Sequence, residues 1–186
     1  MAKKKPKGQK PEPQSAEAPL IFLDIDGVLA PFGGRDPPGP PRGRAAKLDA
    51  DAAFAPFDEQ CLARLAAVVD ATDATIVLSS SWRASADAVA VIERRFRAFG
   101  APLAGTVPLP TTDAHYHSVR QWEVARHLDR HPASRWVALD DEELVEGEEC
   151  AERRSLFVGR VSTVDSTLGL QDIHVAEAIR VLTGDA

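Results

Sequence analysis

The sequence predicts an α/β fold: a three-layer, Rossmann-like sheet of mostly parallel strands flanked by helices. Two observations carry that expectation. Three short apolar runs, at residues 20–25, 75–78 and 135–139, are continuous rather than alternating, which is the pattern of strands covered on both faces. Between them lie longer stretches whose apolar residues recur three and four apart, and strands alternating with helices imply right-handed βαβ crossovers.

At 186 residues, with 44% apolar and 6% aromatic residues, the chain suits one domain with an aliphatic core. Its charge is uneven. Residues 1–19 hold five lysines against Glu12 and Glu17, a local +3 that leaves about −9 on the rest of a −6 chain. This segment has no large apolar residue after Met1 and reads as a disordered basic tail, leaving 20–186 as one domain. Its lysines fit either a nucleic-acid contact or a solubilising extension. No signal-peptide core and no run approaching the ~18–20 apolar residues of a membrane span occurs, so a cytoplasmic protein without a membrane partner is expected. Cys61 and Cys150 lack C-x-x-C spacing and read as small buried or neutral residues in a reducing compartment. Oligomeric state is not legible.

Taken in chain order, residues 20–25 form the first strand, a central one. A Pro- and Gly-rich insertion at about 31–57 follows, carrying Arg35, Arg42 and Arg44, which suit an anion clamp or a flexible flap equally. Asp58 caps a helix whose inner face is Leu62, Leu65, Val68 and Val69. After the strand at 75–78 comes "SSSWR", where Ser81 suits a helix cap. The next helix opens at Ser85 or Asp87, runs through Val91, Ile92, Phe96 and Phe99, and ends at Gly100 as a left-handed cap. In the irregular stretch beyond it, His115 and His117 have alternate spacing but no third ligand, so they read as cleft-lining more readily than as a metal site.

A third helix spans about 118–130 with a less regular face, Val119 with Trp122 and Val124 with Leu128, and Pro132 stops it. Trp122 and Trp136 read as packing residues. Beyond the strand at 135–139, an acidic run from Glu142 to Glu152 reads as a solvated face. A weaker fourth strand is expected at 156–161, and a last helix at 172–182 with Ile173, Ala176, Ile179 and Leu182 inward. No second domain fits into the insertion or after Asp141, so the sheet is expected to be capless or to carry only a short loop flap.

Ligands of open α/β sheets bind outside the carboxyl ends of the strands, and there the chain collects Asp24, Asp26, Ser79, Ser80, Asp140 and Asp141. A lone D-x-D reads as turn chemistry, but four carboxylates at one edge repel one another, and a hard divalent cation such as Mg²⁺ relieves that. Gly27 reads as the permissive turn that lets Asp26 face the same cleft. Arg83 is near enough to this edge to contact substrate, or else a surface residue at a helix start.

These residues resemble a known family. "LDIDGVL", "IVLSSSWR", "VALDDE" and a late "STLGL", in this order, are similar to the motifs of haloacid dehalogenase-like (HAD) phosphohydrolases, and in particular to the HAD domain of Swiss Army Knife RNA-repair proteins, over roughly residues 20–182. The resemblance implies two-step phosphoryl transfer. Asp24 would attack phosphorus and carry an aspartyl-phosphate; Asp26 would serve as acid and then base, with its backbone carbonyl on Mg²⁺. Asp141 with Asp140 would hold the metal, and Ser79 with the basic residue of the third motif would bind the phosphoryl oxygens. Arg120 takes that third place, with Arg126 as alternate. Ser80 and the backbone at Gly27 are secondary phosphate contacts. Gly169-Leu170-Gln171 departs from the family's G-L-T at this turn.

The activity so implied is Mg²⁺-dependent hydrolysis of a phosphomonoester, with a nucleic-acid 3′ or 5′ phosphate end among the substrates an open cleft admits. A non-catalytic phosphate- or partner-binding module on the same fold is the alternative, against which stands the presence of both nucleophile and acid. A receiver domain would carry its acidic pair on the first strand and its acceptor later, the reverse of the order here.

Overall fold

The structure is a computed structural model and describes residues 18–33, 57–113, 120–146 and 151–184. The basic tail, most of the 31–57 insertion with Arg35, Arg42 and Arg44, His115, His117, Ser118, Val119 and Cys150 lie outside those residues.

Four strands, β1 (Leu20–Leu23), β2 (Thr75–Leu78), β3 (Trp136–Asp140) and β4 (Val161–Thr163), form one sheet in the order β2-β1-β3-β4, with every pairing parallel. The helices are α1 (Glu59–Thr72), α2 (Ala86–Phe99), α3 (Arg120–Arg130), a single turn α4 (Arg154–Phe157) and α5 (Asp172–Thr183). A parallel sheet needs cover on both faces, and this one has it. Ile21, Leu23, Ile76, Leu78, Val137 and Leu139 pack with α1, α2 and α5, while Phe22, Val77, Trp136 and Ala138 pack with α3, Leu144 and Phe157. On the second face Trp136 meets Phe22 and Phe157 edge-on, at centroid distances of 5.7 and 5.3 Å.

Local signals act as the sequence implies at most helix ends. The Asp58 carboxylate accepts from the Gln60 and Cys61 N–H groups, a cap that contributes about 1 kcal/mol. Ser85, of its two candidates, caps α2 through the Ala88 N–H, and Gly100 ends that helix at φ 98°. The free outer edge of β2 is partly covered, since Leu78 exchanges hydrogen bonds with Pro110 and Thr112.

Three expectations need correction. Residues 154–157 coil into α4, and the fourth strand begins only at Val161: Gly159 turns the chain at φ 73°, which separates Phe157 from the strand. On α5 the inward residues are Ala178 and Leu182 with Val175 and Ile179 beside them, while Ile173 is 73% exposed; the 3.6-residue stripe is rotated from the one read in the sequence. Trp122 is not core but 38% exposed, because the side of α3 that turns inward is polar: Arg120, Gln121 and Glu123 are buried. Among the described residues, no helix is long and apolar enough to cross a membrane.

Candidate active site

Register brings the chemistry together. Leu23 pairs with Leu78 on one side and with Leu139 on the other, so the next residues, Asp24, Ser79 and Asp140, stand abreast at the carboxyl edge. The Asp24 N–H donates to the Leu139 carbonyl (3.0 Å) and the Ser79 N–H to that of Leu23 (2.9 Å), which carries the ladder one step past the strands. The chain leaves β1 toward β2 and later returns to β3 on the other side. The edge between β1 and β3 is therefore the topological switch point, where open α/β sheets bind ligands.

Asp24 is 4% exposed; one carboxylate oxygen accepts from the Ile25 N–H (2.7 Å) and the other faces Arg120 Nη2 (3.3 Å). Arg120 Nη1 donates to Asp140 at 3.0 Å, Nη2 lies 3.3 Å from Glu142, and Nε lies 3.8 Å from Glu123. One buried guanidinium thus serves four carboxylates. Burial opposes its charge, yet Asp140, Asp24 and Glu142 together hold its pKa above the ordinary arginine value.

Oxygen atoms of Asp24, Asp140 and Asp141 all lie within 4.8 Å of one another. Burial raises Asp140 well above the usual carboxylate range, against the pull of Arg120, and burial with the nearby Asp24 pushes Asp141 up to about 6. A single guanidinium does not neutralise this group. A hard cation bound by carboxylate oxygens would, so the donor set fits Mg²⁺.

The turn after β1 is built to admit Asp141. The Ile25 carbonyl accepts from the N–H groups of Val28, Leu29 and Ala30, which coils the chain tightly and sets Gly27 at φ 75°. A Cβ on Gly27 would lie 2.4 Å from Asp141 Oδ2. Glycine is needed here both for its backbone and for the space it leaves.

Asp26 is separate from the other three carboxylates. Its Oδ2 accepts from the Trp82 indole N–H at 3.0 Å, and its Oδ1 is buried with no partner among the described residues. Burial raises its pKa, partly offset by the Trp82 hydrogen bond. Ser79 Oγ is likewise buried and unpartnered among the described residues. Two unsatisfied buried oxygens at one edge are costly unless a ligand completes them.

A comparison with protein-family models matches residues 20–175 to the HAD domain in Swiss Army Knife RNA repair proteins. The chain belongs to this family. No curated protein and no solved structure matches it. Family membership makes phosphohydrolase chemistry the suggested activity of this HAD domain, on a fold that is the α/β sheet described above.

Of the residues singled out in the sequence, the HAD domain brings Asp24, Ser79, Ser80, Arg120, Asp140 and Asp141 to one edge, with Gly27 against Asp141 and the Asp26 side chain turned to Trp82. Ser80, not Ser81, accepts from the Trp82 N–H and starts the turn at Ser81–Ala84. Arg126 instead lies half-exposed, 3.8 Å from Asp113. Arg83 is not a surface residue: its guanidinium is buried, donates to the Ser79 and Ser80 carbonyls and pairs with Glu123.

Three contributors were missed. Glu123 bridges Arg83 and Arg120 and so ties the serine turn to α3; its spacing of three from Arg120 was the available signal. Glu142, read as part of a solvated acidic face, turns back to Arg120. Trp82, passed over beside Arg83, holds Asp26. The late "STLGL" turn is also placed: Gly169, at φ 69°, packs against Cys61 and the Val28 carbonyl, and the Leu170 N–H donates to that carbonyl at 2.9 Å. Gln171, where the family continues with threonine, donates to the Leu168 and Gly169 carbonyls and leads into α5.

Proposed function

We propose that this protein is a Mg²⁺-dependent phosphomonoester hydrolase that works through an aspartyl-phosphate on Asp24, with phosphorylated nucleic-acid ends as its substrate class. The observation that carries this reading is the setting of Asp24: a buried carboxylate beside Asp140 and Asp141, oriented by Arg120, one strand away from a Ser79 hydroxyl that has no partner among the described residues.

In the first step an Asp24 oxygen forms a bond to phosphorus as the bond to the leaving oxygen breaks. Asp26 gives its proton to that oxygen, and burial shifts its carboxyl group toward the protonated form that this role needs. In the second step Asp26, now a carboxylate, takes a proton from water as the water attacks the aspartyl-phosphate; inorganic phosphate leaves and Asp24 is restored. Ser79 Oγ and Arg120 would hold the phosphoryl oxygens as charge shifts among them. Asp24, Asp141 with Asp140, and the Asp26 carbonyl would hold Mg²⁺, which when bound neutralises phosphoryl charge. The nucleic-acid assignment is supported by the RNA-repair description of the family and by the lysines of residues 1–19.

The test is hydrolysis of an aryl phosphate with Mg²⁺, with EDTA, and with Asp24→Asn. Activity that is abolished by EDTA and by the substitution is expected; full activity of Asp24→Asn removes the nucleophile. Oligonucleotides with 3′ or 5′ phosphates should be turned over faster than small esters, and equal rates would remove the nucleic-acid assignment alone.

A further inference from the structure

We infer that Trp82 is a positioning residue for the acid–base step, because its indole N–H fixes one oxygen of Asp26 and thereby aims the other into the site. This rests on the role of Asp26 proposed above. A carboxyl group on a short side chain turns freely about its last bond unless something holds it, and in transfer only the oxygen facing the leaving group is useful. Here Oδ2 accepts from Trp82 Nε1 at 3.0 Å, and Oδ1 is left buried and unpartnered among the described residues.

The indole is itself immobile. Trp82 is fully buried, its backbone N–H donates to Ser80 Oγ, its backbone carbonyl accepts from the Ser85 N–H, and Phe57 packs edge-on to its ring at 5.7 Å. Phe57 closes the 31–57 insertion and Ser80 adjoins the proposed phosphate seat. A single buried residue therefore links the acid and the end of the insertion through its ring and the phosphate turn through its backbone. An indole N–H donates and never accepts, so it fixes the carboxyl group by its unprotonated oxygen and leaves the proton, when present, on the buried and otherwise unengaged Oδ1.

Orientation of an acid has a signature that packing lacks: it matters only when the leaving oxygen needs a proton. The value of kcat/KM, which covers events up to the first phosphoryl transfer, should be compared for an alkyl phosphate, whose alkoxide is a poor leaving group, and an aryl phosphate with a good one. Trp82→Phe keeps the ring and removes the donor. On the alkyl phosphate it is expected to lose about 10-fold or more, out of the ~10²–10⁴ that a positioned acid supplies, and on the aryl phosphate less than about 3-fold. Asp26→Asn should show the same bias more strongly. Trp136→Phe, a buried ring away from the acid, should lower both substrates alike.

If Asp26→Asn shows the bias and Trp82→Phe does not, the positioning role is overturned while the proposed function stands. If Asp26→Asn shows no bias, or the wild-type protein hydrolyses neither ester, both fall together. Should Trp82→Phe fail to fold, the indole N–H resonances of the three tryptophans in the intact protein give the answer. One resonance should move strongly in Asp26→Ala while the other two stay, and three unmoved resonances overturn the inference.

Discussion

Replacing Gly27 by alanine tests whether the turn after β1 and the carboxylate after β3 share one space. Two costs can be separated. Gly27 has φ 75°, a left-handed conformation that charges an alanine about 1–2 kcal/mol. In addition its Cβ would sit 2.4 Å from Asp141 Oδ2 and 2.6 Å from Cγ, so Asp141 must retreat by roughly 1 Å to regain ordinary contact. Gly159 supplies the control: φ is 73° and nothing lies within 4 Å of its would-be Cβ. Gly159→Ala should lose the backbone cost alone, a fall in Tm of about 2–8 °C for a chain of this size. Gly27→Ala should lose at least that much and should also bind Mg²⁺ more weakly, by about 10–100-fold if a displaced ligand behaves like a displaced supporting residue. At Mg²⁺ equal to about 100 times the wild-type Kd, stabilisation by the ion is then about 2.7 kcal/mol for the wild type and for Gly159→Ala, but about 0.4–1.4 kcal/mol for Gly27→Ala. Thermal unfolding of the three proteins across a MgCl₂ titration reads this directly. If Gly27→Ala keeps the full Mg²⁺-dependent rise in Tm, the placement of Asp141 in a metal centre is refuted.

The same centre dictates a pH dependence. Asp140 and Asp141 have folded-state pKa values raised by burial, so the stability each contributes is fully present below the unfolded value of 3.8 and falls as pH rises, that of Asp141 through about 6. Mg²⁺ needs the ionised forms, so its stabilising effect should be larger at pH 8 than at pH 5, and equal Tm gains at the two values would count against the site. Arg120→Ala should destabilise by about 3–5 kcal/mol near neutrality, since it strands the buried carboxylates of Asp24 and Asp140, and by less in acid, where Asp140 is protonated; urea unfolding at two pH values checks both. Gly169→Ala should cost more than Gly159→Ala, because its Cβ would lie 2.8 Å from Cys61 Sγ and 3.0 Å from the Val28 carbonyl. Adding Cys61→Ala should restore part of that loss, and strict additivity of the two changes would show that the contact is not the cause.

The sheet was legible because its signals are local. Each central strand is a run of buried residues whose next neighbour is polar, and three such runs in parallel register must end level; Asp24, Ser79 and Asp140 follow from that alone. Caps such as Asp58 and Ser85 were legible for the same reason. The weaker elements failed where two local signals competed. At residues 156–161 the apolar run favoured a strand, but Gly159 set a turn within it, and on α5 the spacing of Ile173 and Ile179 fitted a stripe one step away from the one that packing selected.

The site itself was legible in its carboxylates and not in what holds them. Trp82 and Asp26 are far apart in sequence, as are Arg83 and Glu123, and nothing local marks such partners. Yet one sign was present. The helix before β3 had the least regular apolar face, and the structure gives the reason: α3 turns Arg120, Gln121 and Glu123 inward, where Arg120 meets Asp24 and Asp140, Gln121 donates to the Leu144 carbonyl, and Glu123 meets Arg83. A helix must bury one face, and when that face is charged its partner must carry the opposite charges, for an unpaired buried ion costs several kcal/mol. The irregular stripe was therefore a positive signal. It marks the helix that packs its polar side against the acidic edge of the sheet, and it singles out Arg120, at the first turn beside that edge, over the half-exposed Arg126 farther along.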